Sequence, residues 1–207
     1  MKLFISFNHV DLSDALRCAK VVAPFCQAFR IGPVLLTHYG LHALVAFREK
    51  FPDMPLISDT KILDHEQEMV WLIGPTRCTW VTVLAATHPH IIRAACIHAK
   101  EAGLLVMLDL LGPQNIGQQA LDAERQGVSA LVFHCIGQEE ETDSFLDRWD
   151  LARSNTSLPI YASTGINRSN IVQVLQLNPD GIILGGAITE SDDPAAEAAY
   201  FAGLIAA

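Results

Sequence analysis

The sequence predicts an α/β fold, and within that class a single (β/α)8 barrel spanning residues 1–207. Short apolar runs alternate along the chain with longer segments of helical period. The runs are apolar almost throughout rather than at every second residue, the pattern of parallel strands covered on both faces. Eight such units fit into 207 residues, the short end of the barrel range. An open doubly wound sheet would call for a glycine-rich phosphate loop after the first strand, and Asn8-His9-Val10-Asp11 is no such loop.

In order, the expected strands are Leu3–Asn8, Ala28–Gly32, Leu56–Asp59, Trp80–Leu84, Leu104–Asp109, Ala130–His134, Pro159–Ala162 and Gly181–Leu184. Helical spacing is clear in Leu12-Ala15-Leu16-Ala19 and in Ile91-Ala94-Ala95-Ala99. Asp11 or Ser13 can cap the first helix, and Asn167 stands before a helix expected over Ser169–Leu177. Gly103 and Gly127 follow helical segments and precede strands, as terminating glycines do.

Composition limits the functional classes. Half of the residues are hydrophobic, and the net charge of −9 disfavours nucleic acid or an anionic membrane as partner of the whole surface. A local pocket for a small phosphorylated metabolite is compatible with that charge. Cys18, Cys26, Cys78, Cys96 and Cys135 are odd in number and form no C-x-x-C pair, which predicts reduced thiols and a cytoplasmic protein. The N-terminus enters a strand almost at once, so no signal peptide is expected. No apolar run reaches the roughly 18 residues of a membrane span.

Barrel chemistry sits where strands end and βα loops begin. Those positions hold Asn8, Arg30, Asp59 with Lys61, Asp109, His134, Thr164-Gly165 and Gly185-Gly186, whereas the opposite ends begin with residues such as Leu3, Leu56 and Leu104. Asp59 and Lys61, two apart, share a strand face, and their apolar neighbours predict partial desolvation. A structural ion pair would satisfy the same spacing; the strand-end placement favours a functional one. His134 follows the apolar run Ala130–Phe133 and can shuttle a proton near neutral pH. Asn8, Arg30 and Asp109 are candidate substrate contacts. Thr164, Gly165, Gly185 and Gly186 end the last two strands, where backbone N–H groups can approach a phosphate closely. His88 and His90 flank Pro89 without a third ligand at metal spacing and read as a helix-start loop.

With these residues assembled, the chain resembles the orotidine-phosphate-decarboxylase-like barrels, and most closely the 3-hexulose-6-phosphate synthase and 3-keto-L-gulonate-6-phosphate decarboxylase family. The resemblance spans nearly the whole chain. It is carried by Met1-Lys2-Leu3, Ile31-Gly32, Asp59-x-Lys61-x-x-Asp64, Trp80-Val81-Thr82-Val83, His134, Thr164-Gly165-Ile166 and Gly185-Gly186-Ala187-Ile188-Thr189. It implies a homodimer with Asp64 reaching the neighbouring subunit's site, a phosphosugar substrate and an enediolate intermediate. It further implies that Lys61 stabilises the oxyanion, His134 relays a proton, and Gly165, Gly185 and Gly186 hold phosphate. Asp59 would be a Mg2+ ligand by the same resemblance.

The chain departs from that pattern at two places: Asn8 stands where the family has Asp, and Arg30 where it has a metal-ligating Glu. A guanidinium cannot ligate a cation but can itself supply positive charge. Ala187 also replaces the phosphate-binding Arg that orotidine-phosphate decarboxylase carries after strand eight. The expectation is a carbon–carbon lyase acting on a phosphorylated ketose, most like a hexulose-phosphate synthase that joins formaldehyde to ribulose 5-phosphate. The alternatives are a keto-acid-phosphate decarboxylase, favoured by Arg30, and a non-catalytic phosphosugar-binding relative.

Overall fold

A computed structural model describes residues 1–112, 115–135 and 145–206. Its strands β1 (Lys2–Phe7), β2 (Ala28–Ile31), β3 (Leu56–Ile62), β4 (Trp80–Leu84), β5 (Leu105–Asp109), β6 (Ala130–His134), β7 (Ile160–Ser163) and β8 (Gly181–Leu184) are all parallel. They follow one another round a closed barrel in chain order, and β8 pairs back onto β1. The eight-stranded parallel barrel is therefore as the sequence predicts.

The helices outside it are α1 (Leu12–Val22), α2 (Pro33–Tyr39), α3 (Leu41–Lys50), α4 (Glu66–Ile73), α5 (Pro89–Glu101), α6 (Ile116–Gln126), α7 (Phe145–Arg153), α8 (Ile171–Gln176), α9 (Gly186–Thr189) and α10 (Pro194–Ala206). Two units depart from one helix per strand. The segment after β2 breaks at Gly40, whose φ of 55° lies outside the helical region. The segment after β8 forms the single turn α9 before α10.

Capping follows local chemistry. The Asp11 carboxylate accepts the Asp14 N–H at 3.0 Å and starts α1. Gly127 ends α6 at φ 95°. The start of α8 differs from expectation. Asn167 spends its side-chain oxygen on the N–H and hydroxyl of Ser169, making a tight turn, and the helix begins at Ile171 after Asn170.

Residues of alternate parity serve two cores. Outward-facing residues such as Phe7, Phe29, Val81, Leu108 and Phe133 pack with the helices. Phe7 and Phe29 meet edge to face at 5.1 Å, and Phe29 meets Phe51 likewise at 5.1 Å, sealing β1 and β2 under α3. Inward-facing Phe4, Ala28, Ile57, Met107, Ala130, Val132, Tyr161 and Ile183, with Trp80, fill the barrel itself. Phe4 stacks on Tyr161 at 4.6 Å, so the inside is a packed floor rather than a channel.

At the end of the barrel where strands begin, Arg48 is 8% exposed and ties two loops together. Its Nη1 donates to the carbonyls of Phe51, Pro52 and Met54, at 2.6 Å to Pro52, and Nη2 donates to the Arg77 carbonyl at 2.8 Å. Removing the guanidinium strands several buried carbonyls, so Arg48→Ala lowers the unfolding free energy by about 2–4 kcal/mol. Arg48→Lys recovers only part of that loss, because an ammonium cannot span the same fork. Urea unfolding checks both, and midpoints equal to wild type would contradict this role.

Candidate functional site

The site grows out of strand alternation. Two residues beyond the apolar floor, on the same inward face, stand Ser6, Arg30, Asp59, Thr82, Asp109, His134 and Ser163, and after β8 Gly185. Each polar member of this layer is 7% exposed or less. An apolar plug is thus topped by a polar layer at the C-terminal mouth, the face on which barrels place their chemistry.

Buried charges persist only when paired, and here they are paired closely. Arg30 Nη2 lies 2.7 Å from Asp59 Oδ2 and 3.4 Å from Asp109 Oδ2, while Nη1 donates to Ser163 Oγ at 3.4 Å. Lys61 Nζ bridges the same two carboxylates, 2.7 Å from Asp59 Oδ1 and 2.8 Å from Asp109 Oδ2. Two carboxylates therefore face a guanidinium and an ammonium group. Lys61 is the member that reaches solvent, with its side chain 25% exposed against 6% or less for Arg30, Asp59 and Asp109.

The Asp59–Lys61 contact forms by a route other than the regular strand face expected from their spacing. Ser58 pairs with Val81 and Ile62 with Val83, so β3 carries extra residues against β4, and Lys61 adopts φ 46°. Thr82 holds the irregularity: its hydroxyl accepts the Lys61 N–H at 2.8 Å and donates to Asp59 Oδ1 at 3.1 Å. The bulge aims the ammonium back over the barrel.

Asp109 is the hub. Its Oδ1 accepts His134 Nε2 at 2.6 Å and the Leu111 N–H at 3.1 Å. Burial opposes its ionisation, but the hydrogen bond and charge of His134, together with Lys61, outweigh burial and hold the carboxyl well below the usual range. The other ring nitrogen, Nδ1, lies 2.7 Å from Thr164 Oγ1. Nε2 directs its hydrogen to the carboxylate in either protonation state, and in the neutral ring Nδ1 then accepts the threonine hydroxyl. Thr164 has φ 66°, a rare conformation for a β-branched residue, and Gly165 follows at φ 70°. The Asn167 and Asn170 amides both donate to the Gly165 carbonyl and fix that turn.

A cavity of about 450 Å3 opens beside this layer, bounded by Asn8, Arg30, Ser163, Thr164 and the glycine turns at Gly165 and Gly185-Gly186. The Asn8 side chain packs directly on Gly32, where any Cβ would collide with its Oδ1. The Glu190 carboxylate, which also lines this cavity, lies against Gly186, about 3.0 Å from where a Cβ would stand. Every mouth residue singled out in the sequence except Asp64 is thus in the charged layer or around the adjoining cavity. Asp64 is exposed on the loop between β3 and α4. Thr82, Ser163, Ser6 and Glu190 were not singled out. The first three share strand parity with Trp80, Tyr161 and Phe4, a signal available in the sequence.

The residues beside Asp59 do not fit a divalent cation. Both carboxylate oxygens are already engaged by cations at 2.7 Å, and no group of three His, Cys, Asp or Glu side chains suited to a metal occurs among the described residues. His88 caps α5, with Nδ1 accepting the His90 N–H at 3.4 Å, as a helix-start loop does. The cysteines are free; burial pushes the Cys26 and Cys96 thiols up to about 12 and those of Cys18 and Cys135 to about 11. None is poised as a nucleophile at neutral pH.

The depressed Asp109 carboxyl has a pH consequence of fixed sign. Its contribution to stability is complete above the ordinary carboxylate pKa of about 4 and is lost as pH falls below that value toward its folded pKa. Urea midpoints measured from neutral to acid pH should therefore fall more steeply for wild type than for Asp109→Asn. Parallel slopes would show that Asp109 is not a stabilising anion.

With this geometry in place, comparison with known proteins is direct. Residues 1–201 match the model of the Orotidine 5'-phosphate decarboxylase / HUMPS family. A 3-hexulose-6-phosphate synthase of Bacillus subtilis (strain 168) is 26% identical over 207 residues, covering 99% of each chain. The crystal structure of a 3-hexulose-6-phosphate synthase from Salmonella typhimurium superposes with TM-score 0.90 at 26% identity, covering 100% of this chain and 99% of that one. A 3-keto-L-gulonate-6-phosphate decarboxylase from Vibrio cholerae shares the fold, with TM-score 0.82 at 22% identity over 98% of this chain and 97% of its own. The chain belongs to the orotidine 5'-phosphate decarboxylase / HUMPS family.

Proposed function

We propose that this protein is a cytoplasmic carbon–carbon lyase of phosphorylated ketoses that works through an enediolate, most like a 3-hexulose-6-phosphate synthase. The observation that carries this is the Lys61 ammonium, bridged between Asp59 and Asp109 and open to the barrel mouth beside His134. A preorganised ammonium in a water-poor site stabilises an oxyanion far better than one in bulk solvent. The relatives' names, hexulose-phosphate synthases in two bacteria, support a phosphosugar substrate.

The chemistry follows from these positions. His134 Nδ1, whose partner is only a rotatable hydroxyl, takes the proton from C1 of ribulose 5-phosphate. Asp109 keeps the imidazole oriented through Nε2 and stabilises the imidazolium that forms. Lys61 holds the oxyanion at C2 of the enediolate, whose C1 then attacks the carbonyl carbon of formaldehyde. The resulting alkoxide recovers its proton from His134. Thr164, Gly165, Gly185 and Gly186 receive the substrate phosphate in the adjoining cavity.

A decarboxylase that reaches the same kind of enediolate by releasing CO2 is the second reading. Arg30 favours it, being a guanidinium on the wall of the cavity where a substrate carboxylate could be held.

The working unit in this proposal is a homodimer in which Asp64 completes the partner's site. Asp64 is exposed, and Leu63 beside it and Trp71 and Leu72 on α4 are 51%, 54% and 57% exposed, an apolar surface suited to burial against a second copy.

Formaldehyde-dependent consumption of ribulose 5-phosphate tests the synthase reading. Its absence, with CO2 released from a keto-acid phosphate, would select the decarboxylase; turnover of neither substrate would leave a phosphosugar-binding protein. Lys61→Ala is expected to lower kcat by about 10²–10³ while phosphosugar binding persists. If Asp64 acts across the interface, inactive Lys61→Ala and Asp64→Ala chains mixed in equal amounts should regain about a quarter of wild-type activity, since half of randomly paired dimers carry one intact site. No recovery from chains shown to exchange would exclude a shared site.

A further inference from the structure

We infer that this protein carries its own fixed cation in Arg30 and works without a divalent ion. The inference deepens the proposed lyase reading and rests on it for the chemistry alone; its ion-binding test stands without turnover.

The lone pairs of Asp59 are already committed. Oδ2 accepts Arg30 Nη2 at 2.7 Å, and Oδ1 accepts Lys61 Nζ at 2.7 Å and the Thr82 hydroxyl at 3.1 Å. A magnesium ion binds oxygen at about 2.0–2.1 Å in octahedral geometry, so it could ligate Asp59 only by displacing one of these partners. Displacing Arg30 would leave a buried guanidinium facing a dication. Within the layer, Asp59 and Asp109 already balance Arg30 and Lys61, and Asn8, Ser6 and Ser163 are neutral; the further carboxylate in the cavity lining, Glu190, lies against Gly186. An incoming ion would add two uncompensated positive charges to a region where charges persist only in pairs.

Arg30 is also held in the manner of a permanent part of the site. It is 5% exposed, and its two Nη atoms reach Asp59, Asp109 and Ser163 on three different strands. Its Nε–H is buried without a hydrogen-bond partner among the described residues. The Arg30 guanidinium lines the same cavity as Asn8 and the glycine turns. It therefore puts a delocalised, always-charged, planar donor beside the enediolate, where a metal would offer a Lewis acid. Arg30 sets the charge and Lys61 contacts the oxyanion.

The test is titration of the intact wild-type protein with Mn2+, with free ion followed by electron paramagnetic resonance. No saturable binding at millimolar Mn2+, or binding that survives Asp59→Asn, supports the inference. Saturable binding that Asp59→Asn abolishes overturns it. As a gain-of-function control, Asn8→Asp with Arg30→Glu supplies two further carboxylates around Asp59 and should bind Mn2+ when wild type does not. If that variant fails to fold, the wild-type titration decides alone. Where turnover is detected, it should run at full rate in excess chelator, with Arg30→Lys retaining more of it than Arg30→Met. Loss of turnover on chelation, restored by Mg2+, would overturn the inference. Turnover of no phosphoketose under any condition would count against the lyase reading and leave the Mn2+ result standing.

Discussion

The structure of the barrel mouth depends on one constraint: Asp59 and Asp109 lie in the interior and must be neutralised where they stand. Arg30 and Lys61 both answer it by spanning the same two carboxylates. The remaining geometry follows. Lys61 reaches inward only because β3 bulges and its backbone turns to positive φ, and Thr82 is what stabilises that turn. His134 is oriented because Asp109 has one oxygen left for it. Thr164 keeps an unfavourable backbone conformation while its hydroxyl meets the other side of the ring.

The two ends of the barrel solve opposite problems. At the floor, Phe4, Tyr161, Trp80 and Ile57 fill the interior with apolar volume, and below them Arg48 gathers loop carbonyls into one rigid junction. At the mouth, burial is given to charge instead, and the stability lost there is recovered from the double apolar shell around it. A step of two residues on every strand separates the two regimes. The charged layer is carried by side chains on strands, whose positions vary little, while the adjoining cavity is closed by loops.

Much of this was legible in residue order. The positions of the strands, the cap at Asp11 and the stop at Gly127 are local matters of period and backbone preference. Strand ends announced Arg30, Asp59, Lys61, Asp109, His134 and Thr164, because so many polar groups after apolar runs mark one end of the barrel as a buried polar layer. Asn167 misled because two asparagines compete for one helix start; its side chain closes a turn, and the Asn170 side chain is spent on Gly165. Ser163 and Thr82 are not named by strand-end position, although counting inward parity from Tyr161 and Trp80 reaches both.

By itself, then, the sequence determined the barrel, the end of it that carries the polar layer and the group of ionisable residues found there. These depend on apolar period, strand parity and turn chemistry, which act over a few residues. Only the tertiary structure decided that Arg30 sits on Asp59, and that Lys61 bridges two carboxylates, one 2 positions and the other 48 positions away from it in sequence. It also decided that Glu190 shares a cavity with Asn8 and Arg30. The physical reason is that the partner of a buried charge is chosen by distance and geometry in a low-dielectric interior, and chain closure brings those partners together from strands the sequence keeps far apart.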